Sequence, residues 1–348
     1  MKTSPKTSPK TLDQVPLSIL DLVPYPEGKT IADAYRSSVE LAQNAESWGY
    51  HRYWMAEHHS LEGIASAATP VLIGHVAGHT KTIRVGSGGI MLPNHAPLMV
   101  AEQFGTLATL YPNRIDLGLG RAPGTDQTTM RALRRGLTSN GDDFPELIDE
   151  LLFYFQKAEP GQKVRAIPGE GIDVPIWILG SSLYSARLAA LMGRPYAFAG
   201  HFAPDQMLAA YEIYRKEFES SRVLEQPHTM AGIPIIAAAT DEEAEFLATS
   251  LYQRFLSLIR GQLKPTPPPV ASMDLLWTTR EKSHVESMMK LLIVGGPETV
   301  KRKLEAFLEV TRVDELIITS DVFDQSKRLE SYKIISEVAK ANGRRIVS

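Results

Sequence analysis

The sequence predicts an α/β fold in which eight parallel strands close into a barrel and alternate with helices, the (β/α)8 or TIM-barrel architecture. Short apolar, β-branched runs alternate with helical patterns along most of the 348 residues. Such runs suit parallel strands that are covered on both faces, and the first ones recur at roughly the thirty-residue length of a βαβ unit. Motifs rich in glycine and histidine follow several runs, where a strand becomes a loop. Because those points share one face of a barrel, the pattern favours a closed barrel with one site over a doubly wound sheet.

The predicted elements begin with a short apolar strand at 16–21 and a helical pattern over 31–48, which Gly49 ends. The later strands are predicted at 50–54, 83–89, 115–118, 175–179, 196–199, 230–239 and 315–319. The helices between them are predicted at 67–78, 98–111, 144–158 and 185–193. Thr240, followed by three acidic residues, is typical of a helix start, and a last helix follows the final strand.

Two segments depart from this alternation. Residues 1–14 carry the polar repeat KTSP-KTSP-K after Met1 and are predicted to be a disordered tail, which leaves 15–348 as a single domain. Within that domain, 261–290 contains a proline-rich run and no predicted element, so it is a long insertion after the seventh strand. A lid over the catalytic face and a plain surface excursion are both consistent with this insertion.

The composition limits the classes of function. The net charge is −3 without a basic stripe, so a nucleic-acid partner is not expected. Cysteine is absent, which excludes disulfides, zinc–cysteine sites and thiol nucleophiles and is consistent with a cytoplasmic location. No apolar stretch approaches the roughly 18 residues of a membrane-spanning helix, so no membrane association is expected. These exclusions leave a small-molecule substrate as the expected partner.

His58 is the candidate general base, because it follows a predicted strand and an imidazole can exchange protons near neutral pH. Its neighbours Glu57 and His59 extend the same motif, and a purely structural role at the strand end is the alternative. His75 and His79 have the i,i+4 spacing of metal ligands. No Glu lies between them and the helix is rich in small residues, so no metal site is predicted.

A glycine-rich run contains Ser87, Gly88 and Gly89 at the end of the third predicted strand. Glycines at this position permit a flat ligand to approach the backbone, and permit unusual dihedral angles or a cis bond. A simple tight turn is the alternative. Arg121 follows the fourth strand and suits an anion clamp, with a surface arginine as the alternative. The glycines around Arg121 do not match the dinucleotide fingerprint, because the third glycine is one residue late and Ala-Pro interrupts the helix start.

A serine cluster, Ser181, Ser182 and Ser185, follows the fifth strand where a helix begins. Hydroxyl groups and free backbone N–H groups at a helix N-terminus can bind a phosphate, whereas N-capping alone is the alternative. Because Arg121 belongs to the neighbouring strand, one phosphate could contact both groups.

These residues, taken as a set, resemble the bacterial luciferase-like family of flavin-dependent oxidoreductases. The resemblance runs from about residue 16 to the last helix, and its segments keep the family's order and spacing. They are WMAEHH at 54–59, TIRVGSGGIMLP at 82–93, GLGR at 118–121, the segment from GSS at 180–182 to Gly193, and GGPETV at 295–300.

The resemblance implies a barrel that binds reduced FMN at the carboxyl ends of its strands. His58 would be the catalytic imidazole, and Gly88–Gly89 would occupy the family's non-prolyl cis peptide beneath the isoalloxazine. Arg121 would bind the flavin phosphate together with Ser182 and Ser185. His201, after the sixth strand, would face the same pocket.

The implied function is an FMN-dependent monooxygenase, in which oxygen adds to reduced flavin and the resulting peroxyflavin attacks a small organic substrate. Molecular oxygen would be a cosubstrate, a separate flavin reductase would supply the reduced FMN, and the protein would be a homodimer. Gly120 stands where light-emitting luciferases have a cysteine, so the chain is closer to non-luminescent, single-subunit members. A deazaflavin-dependent dehydrogenase and a flavin-binding protein without turnover remain alternatives. A hydrolase on the same barrel is more distant, because no carboxylate pair lies at the strand ends.

Overall fold

The computed structural model describes residues 10–122, 124–133 and 141–341, and its strands confirm the predicted barrel. Eight strands pair in parallel around a closed ring, in which β1 to β7 follow chain order and β9 closes the ring between β7 and β1. The additional strand β8 pairs with the last part of β7. The strands are β1 (Leu17–Asp21), β2 (Arg52–Met55), β3 (Arg84–Met91), β4 (Ile115–Gly120), β5 (Ile176–Gly180), β6 (Tyr196–Phe198), β7 (Thr229–Ala237), β8 (Ile293–Gly295) and β9 (Glu315–Thr319).

Helices surround the barrel and cover its outer face. They are α1 (Ile31–Ser47), α2 (Thr69–His79), α3 (Pro97–Leu110), α4 (Gln127–Leu133), α5 (Phe144–Phe155), α6 (Leu183–Leu191), α7 (Met207–Glu217), α8 (Asp241–Ile259), α9 (Thr279–Met288), α10 (Pro297–Thr311) and α11 (Gln325–Ala341). The predicted start of α8 is confirmed, because the Thr240 side chain accepts a hydrogen bond from the Glu243 N–H. All nine residues of β7 are buried, as expected for a strand between barrel interior and helices. Within the described ranges, no helix is long and apolar enough to cross a membrane.

The predicted disordered tail, residues 1–14, is too long, because its last residues are ordered against the domain. Leu12–Gln14 form a 3-10 helix, and the Leu12 side chain is fully buried in the main core. Lys10 also forms an ion pair with Asp314, at 2.7 Å between Nζ and Oδ1. The apolar side chain of Leu12 therefore fixes the end of this segment to the domain, while residues 1–9 lie outside the described residues.

The insertion at 261–290 contains the helix α9, although no element was predicted there. This helix begins at Thr278, whose side chain accepts a hydrogen bond from the Glu281 N–H, and only Val285 of its residues is buried. A helix is recognised in a sequence by the periodic spacing of its apolar residues. A helix with one buried apolar residue has almost no such periodicity. The helices α4, α7 and α10 and the strand β8 were also absent from the prediction. In α10 the signal was present, since its buried residues recur at helical spacing.

A network of buried ion pairs closes the amino-terminal end of the barrel. Arg52, at the start of β2, donates from Nη1 to Asp116 Oδ2 on β4 at 2.6 Å and from Nε to Glu315 Oε1 on β9 at 3.0 Å. Asp116 also accepts from Arg84, at 2.6 Å from Nη2, and from the Trp54 indole N–H at 3.1 Å. Arg52 therefore connects strands that are not neighbours in the sheet.

We expect Arg52→Met to lower the free energy of unfolding by about 3 kcal/mol, because Glu315 would keep a buried charge without its main partner. Equilibrium urea unfolding measures this change. The matched control is Arg36→Met, which removes an exposed ion pair with Asp33 on α1 and should change stability little. If the free energy of unfolding falls by the same small amount in both variants, the stability of the barrel does not depend on the Arg52 network.

Candidate active site

A cavity of about 640 Å³ opens at the carboxyl ends of the barrel strands. The structure brings nearly all of the predicted site residues to its walls, although they come from five different strand ends. These are Glu57, His58, Gly88, Gly89, Arg121, Ser181, Ser182, Ser185 and His201. This placement follows from the fold, because the loops after parallel barrel strands share one face.

His58 is a partly buried residue that lines the cavity. Its Nδ1 atom is inaccessible to solvent and has no hydrogen-bond partner among the described residues. Burial lowers the pKa of His58 to about 4, and the nearby positive charge of Arg254 acts in the same direction. At neutral pH the ring is therefore uncharged and can accept a proton.

His201 supplies a second uncharged imidazole from the loop after β6. Burial, reinforced by the neighbouring His58, lowers its pKa to about 4, and its Nδ1 atom also lacks a partner within the described part of the chain. The ring lies against Gly232 of β7, where an added Cβ would be 3.0 Å from Nδ1. Glycine in the middle of a buried strand thus makes room for this ring.

Glu57 lines the cavity, but its carboxylate serves the neighbouring loops. It accepts from His59 Nε2 at 2.9 Å, from His95 Nε2 at 2.9 Å and from the Met91 N–H at 3.1 Å. Burial opposes ionisation, yet the hydrogen bonds from His59 and His95 lower the pKa of Glu57 to about 2. Glu57 is therefore an ionised group that ties the loop after β2 to the end of β3, and it holds the loop that carries His58.

The Gly88–Gly89 peptide bond is cis, as the resemblance implies, and it coincides with a register shift in the pairing of β3 with β4. A Cβ on Gly88 would lie 2.6 Å from Leu20 Cδ1, and one on Gly89 would lie 2.7 Å from the Gly118 carbonyl oxygen. Both positions therefore require glycine, which leaves bare backbone at the cavity wall.

Ser87 does not line the cavity, in contrast to the prediction. Its side chain is fully buried between β3 and β4, where Oγ donates to the Gly118 carbonyl at 2.9 Å and accepts from the Gly118 N–H at 3.0 Å. Side chains of a strand alternate between its two faces, and Ser87 lies beside the cavity-lining Gly88. Its role is to join two strands.

Arg121 and the N-terminus of α6 form a polar corner of the cavity. The Arg121 guanidinium stacks on Tyr184, with Cζ 4.6 Å from the ring centroid. Ser182 occupies the N-cap position, but its side chain makes no capping bond. Ser185 Oγ instead donates to the Ser182 carbonyl at 2.8 Å. Of the three predicted serines, Ser185 thus uses its hydroxyl group within the helix. The hydroxyl groups of Ser181 and Ser182 make no hydrogen bond with the described residues and can bind a ligand.

Three site residues were missed by sequence analysis. Tyr184 positions Arg121, and the ion pair between Arg254 on α8 and Asp321 after β9 lies in the cavity wall, with Nη1 2.8 Å from Oδ2. Arg254 follows Leu251 and precedes Phe255, both of which line the cavity. A single arginine on an apolar helix face was therefore a detectable signal.

The insertion at 261–290 forms part of the cavity wall, so it is not a loop that lies only on the outer surface. Leu263, Met288 and Met289 line the cavity, and Met273 is buried. Thr249 on α8 accepts from the Val270 N–H at 2.9 Å, which ties the insertion to the domain.

Comparisons with known proteins agree on one family. Residues 18–315 match the family profile described as luciferase-like monooxygenase. A protein of Escherichia coli (strain K12) named "Luciferase-like monooxygenase" is 50% identical over 324 residues, which cover 93% of this chain and 97% of that protein. An N-acetyl-S-alkylcysteine monooxygenase of Bacillus subtilis (strain 168) is 32% identical over 330 residues, covering 93% and 98%. The crystal structure of apo-MsnO8 is similar with a TM-score of 0.87 at 33% identity, covering 93% of this chain and 98% of MsnO8.

We expect His58 and His201 to stay neutral down to about pH 4, because burial lowers both pKa values to about 4. Histidine ¹H–¹⁵N NMR titration measures this, with signals assigned from His58→Gln and His201→Gln. Between pH 6.5 and 4 the unfolded chain binds more protons at these rings, so the free energy of unfolding should fall as the pH falls through this window. Titration of both rings near 6.5 would contradict the burial argument.

Proposed function

Since this chain belongs to the luciferase-like monooxygenase family, we propose that it uses reduced FMN and molecular oxygen to oxygenate a small organic substrate. The observation that carries the proposal is the placement of His58, the Gly88–Gly89 backbone and Arg121 around one cavity. These groups offer a proton acceptor, a bare backbone surface and an anion-binding corner, and the protein's part in a cofactor enzyme is to bind, orient and tune the cofactor.

The cavity residues fit FMN. The volume of about 640 Å³ lies inside the range of roughly 300–1,000 Å³ that is usual for ligand sites. The backbone at Gly88 and Gly89 gives a flat ring a surface without side chains. Arg121, Ser182 and the free N–H groups at the start of α6 offer charge and hydrogen bonds to a phosphate. When bound, reduced FMN supplies the two electrons with which oxygen is activated.

The chain's own residues then control protons and water. Neutral His58 lines the cavity and can take a proton and return it, because burial leaves its ring uncharged at neutral pH. The wall from α8 and the insertion is apolar apart from Arg254, and it keeps water away from the reacting groups. We further propose that the insertion acts as a lid that opens for substrate entry.

The source of electrons lies outside this chain in our proposal. The glycine motif at 118–124 does not have the dinucleotide fingerprint, so a separate reductase would supply reduced FMN to a homodimer in the cytoplasm. The substrate named for the Bacillus subtilis relative contains a thioether. An N-acetyl-S-alkylcysteine is therefore the first substrate to test.

The decisive experiment is an anaerobic titration with FMN, reduced FMN and a deazaflavin cofactor, followed by turnover in ¹⁸O₂. We expect preferential binding of reduced FMN and one ¹⁸O atom in the product formed from N-acetyl-S-methylcysteine or a related compound. Hydride transfer to or from the deazaflavin without oxygen would favour the dehydrogenase. Flavin binding without oxygen consumption across a substrate panel would favour a protein without turnover.

In the same titration, Arg121→Ala should weaken FMN binding by about 2 kcal/mol, the value of a charge-assisted contact. Arg187→Ala is the matched control, because Arg187 is an exposed arginine on α6 that pairs with Glu217. If Arg121→Ala binds FMN as tightly as the unmodified protein, Arg121 does not bind the phosphate.

We expect His58→Ala to lower turnover by about 100-fold, as for loss of a general acid–base group, with FMN affinity nearly unchanged. Stopped-flow oxidation of bound reduced FMN and product formation report the two effects separately. His75→Ala, an exposed histidine on α2, serves as the control. A large loss of FMN binding in His58→Ala would contradict a catalytic role.

A further inference from the structure

Arg254 is a buried cation in an otherwise apolar part of the cavity. Its side chain is only 8% exposed. The neighbouring wall from α8 and the insertion consists of Leu251, Phe255, Leu258, Leu263, Met288 and Met289. A charged group is buried at such a position only when partners compensate its lost hydration.

The protein holds the guanidinium in one place. Arg254 Nη1 donates to Asp321 Oδ2 at 2.8 Å. The backbone before Asp321 is fixed in turn by α11, because the Ser320 carbonyl accepts from Arg328 Nε at 3.1 Å and the Ser320 N–H donates to the Tyr332 hydroxyl at 2.9 Å. The Arg254 side chain is therefore preorganised by a chain of buried contacts.

The contacts of Arg254 leave donors without acceptors. Apart from Asp321, no described residue accepts a hydrogen bond from its guanidinium, although Nε and Nη2 also carry N–H groups. Glu57, the other carboxylate at the cavity, is occupied by His59 and His95. The acceptor for these N–H groups must therefore come from a ligand or from water.

The buried charges around Arg254 alternate in sign. Asp21 is the anionic end, and it is stabilised by hydrogen bonds from Ser38 Oγ at 2.5 Å and from the Val23 N–H at 2.8 Å, as well as by Arg328 at 2.8 Å. Arg328 interacts electrostatically with the next anion, Asp321. The series then ends at the cationic Arg254 in the cavity. Of these four residues, Asp321 and Arg254 line the cavity.

We propose that Arg254 binds a carboxylate of the substrate, so that the substrate class is small organic carboxylates with an apolar chain. A carboxylate presents two coplanar oxygens, which match adjacent guanidinium N–H groups in a way that a single carbonyl oxygen does not. The apolar wall beside Arg254 accommodates the rest of such a molecule. This inference rests on the proposed function only in taking the cavity as the reaction site.

The test compares hexanoate with hexanamide, its uncharged near-isostere, on the full-length protein without flavin by calorimetric titration. We expect hexanoate to bind at least about tenfold more tightly, as for one charge-assisted contact. The preference should vanish in the double variant R254Q/D321N, which removes both charges and leaves no unpaired ion. It should be smaller in R254K, which keeps the positive charge but lacks the adjacent coplanar N–H groups.

Two arginines provide controls. R260Q changes the arginine that follows α8 and pairs with Glu281 at the surface, and it should keep the hexanoate preference. R121A should keep it as well, because Arg121 belongs to the proposed phosphate corner. Loss of the preference in R121A, its persistence in R254Q/D321N, or equal binding of both probes to the unmodified protein would each overturn the inference.

A measurement on the unmodified protein locates the probe. The charges that act on His58 are Arg254, Glu57 and His59, and His201 lies close by. Because Arg254 helps to lower the pKa of His58, a carboxylate bound to Arg254 should raise that pKa. An NMR titration of His58 with and without saturating hexanoate should show this rise, and hexanamide should not produce it. An unchanged pKa with bound hexanoate would contradict the proposal.

The two proposals fail in different ways. FMN affinity should be the same in R254Q/D321N as in the unmodified protein. If neither the unmodified protein nor any variant prefers hexanoate over hexanamide, while FMN still binds, only the proposed role of Arg254 is contradicted. Hexanoate preference without FMN binding would count against the proposed cofactor and leave the carboxylate site standing.

Discussion

The ion pairs of Arg52 with Asp116 and Glu315 are the constraint on which the arrangement of the barrel interior depends. They fill its amino-terminal end with charged groups that satisfy one another. Above them lies an apolar layer that includes Leu20, Trp54, Trp177, Met230 and Ile317. Because these two layers occupy the lower interior, the space that remains is at the carboxyl ends of the strands. The cavity is there because the rest of the barrel is filled.

Burial has opposite consequences for the charged and neutral groups of the cavity. The imidazoles of His58 and His201 lose their charge because burial removes their hydration, and at His58 this effect outweighs the opposing charge of Glu57. Glu57 keeps its charge, because two histidines and a backbone N–H replace the water. Arg254 keeps its charge beside Asp321. The low-dielectric cavity thus contains two neutral imidazoles and several paired ions. A charged group of a bound ligand interacts strongly with the imidazoles and with the ions.

The sequence predicted the parts of this site that follow from the barrel itself. His58, Gly88 and Arg121 come directly after strands, and the rule that strand ends share one face is enough to bring them together. The role of Glu57 could not be predicted, because its partner His95 is 38 residues away and lies on a different loop. Arg254 was detectable as a single arginine on an apolar helix face, but its place in the cavity depends on how α8 packs across the strand ends.

Local patterns also explain which elements were predicted. The strands were found because apolar β-branched runs are distinctive, and α8 because its first turn carries a strong capping signal at Thr240. In contrast, α9 is mostly polar and is held by its cap and by the ion pair of Glu281 with Arg260. Such a helix is stabilised by tertiary contacts that no single window of sequence contains.

Arg121 and Arg254 both line the cavity but belong to different elements. Arg121 extends from β4 and is steered by Tyr184, whereas Arg254 extends from α8 and is fixed by Asp321. Arg121 is exposed and stacked, which suits a ligand that arrives from solvent with its phosphate. Arg254 is buried and ion-paired, so any anion that reaches it must already have lost its water and must lie beside the apolar wall. The same positive charge thus selects different ligands at the two positions, and the difference comes from burial rather than from the residue type.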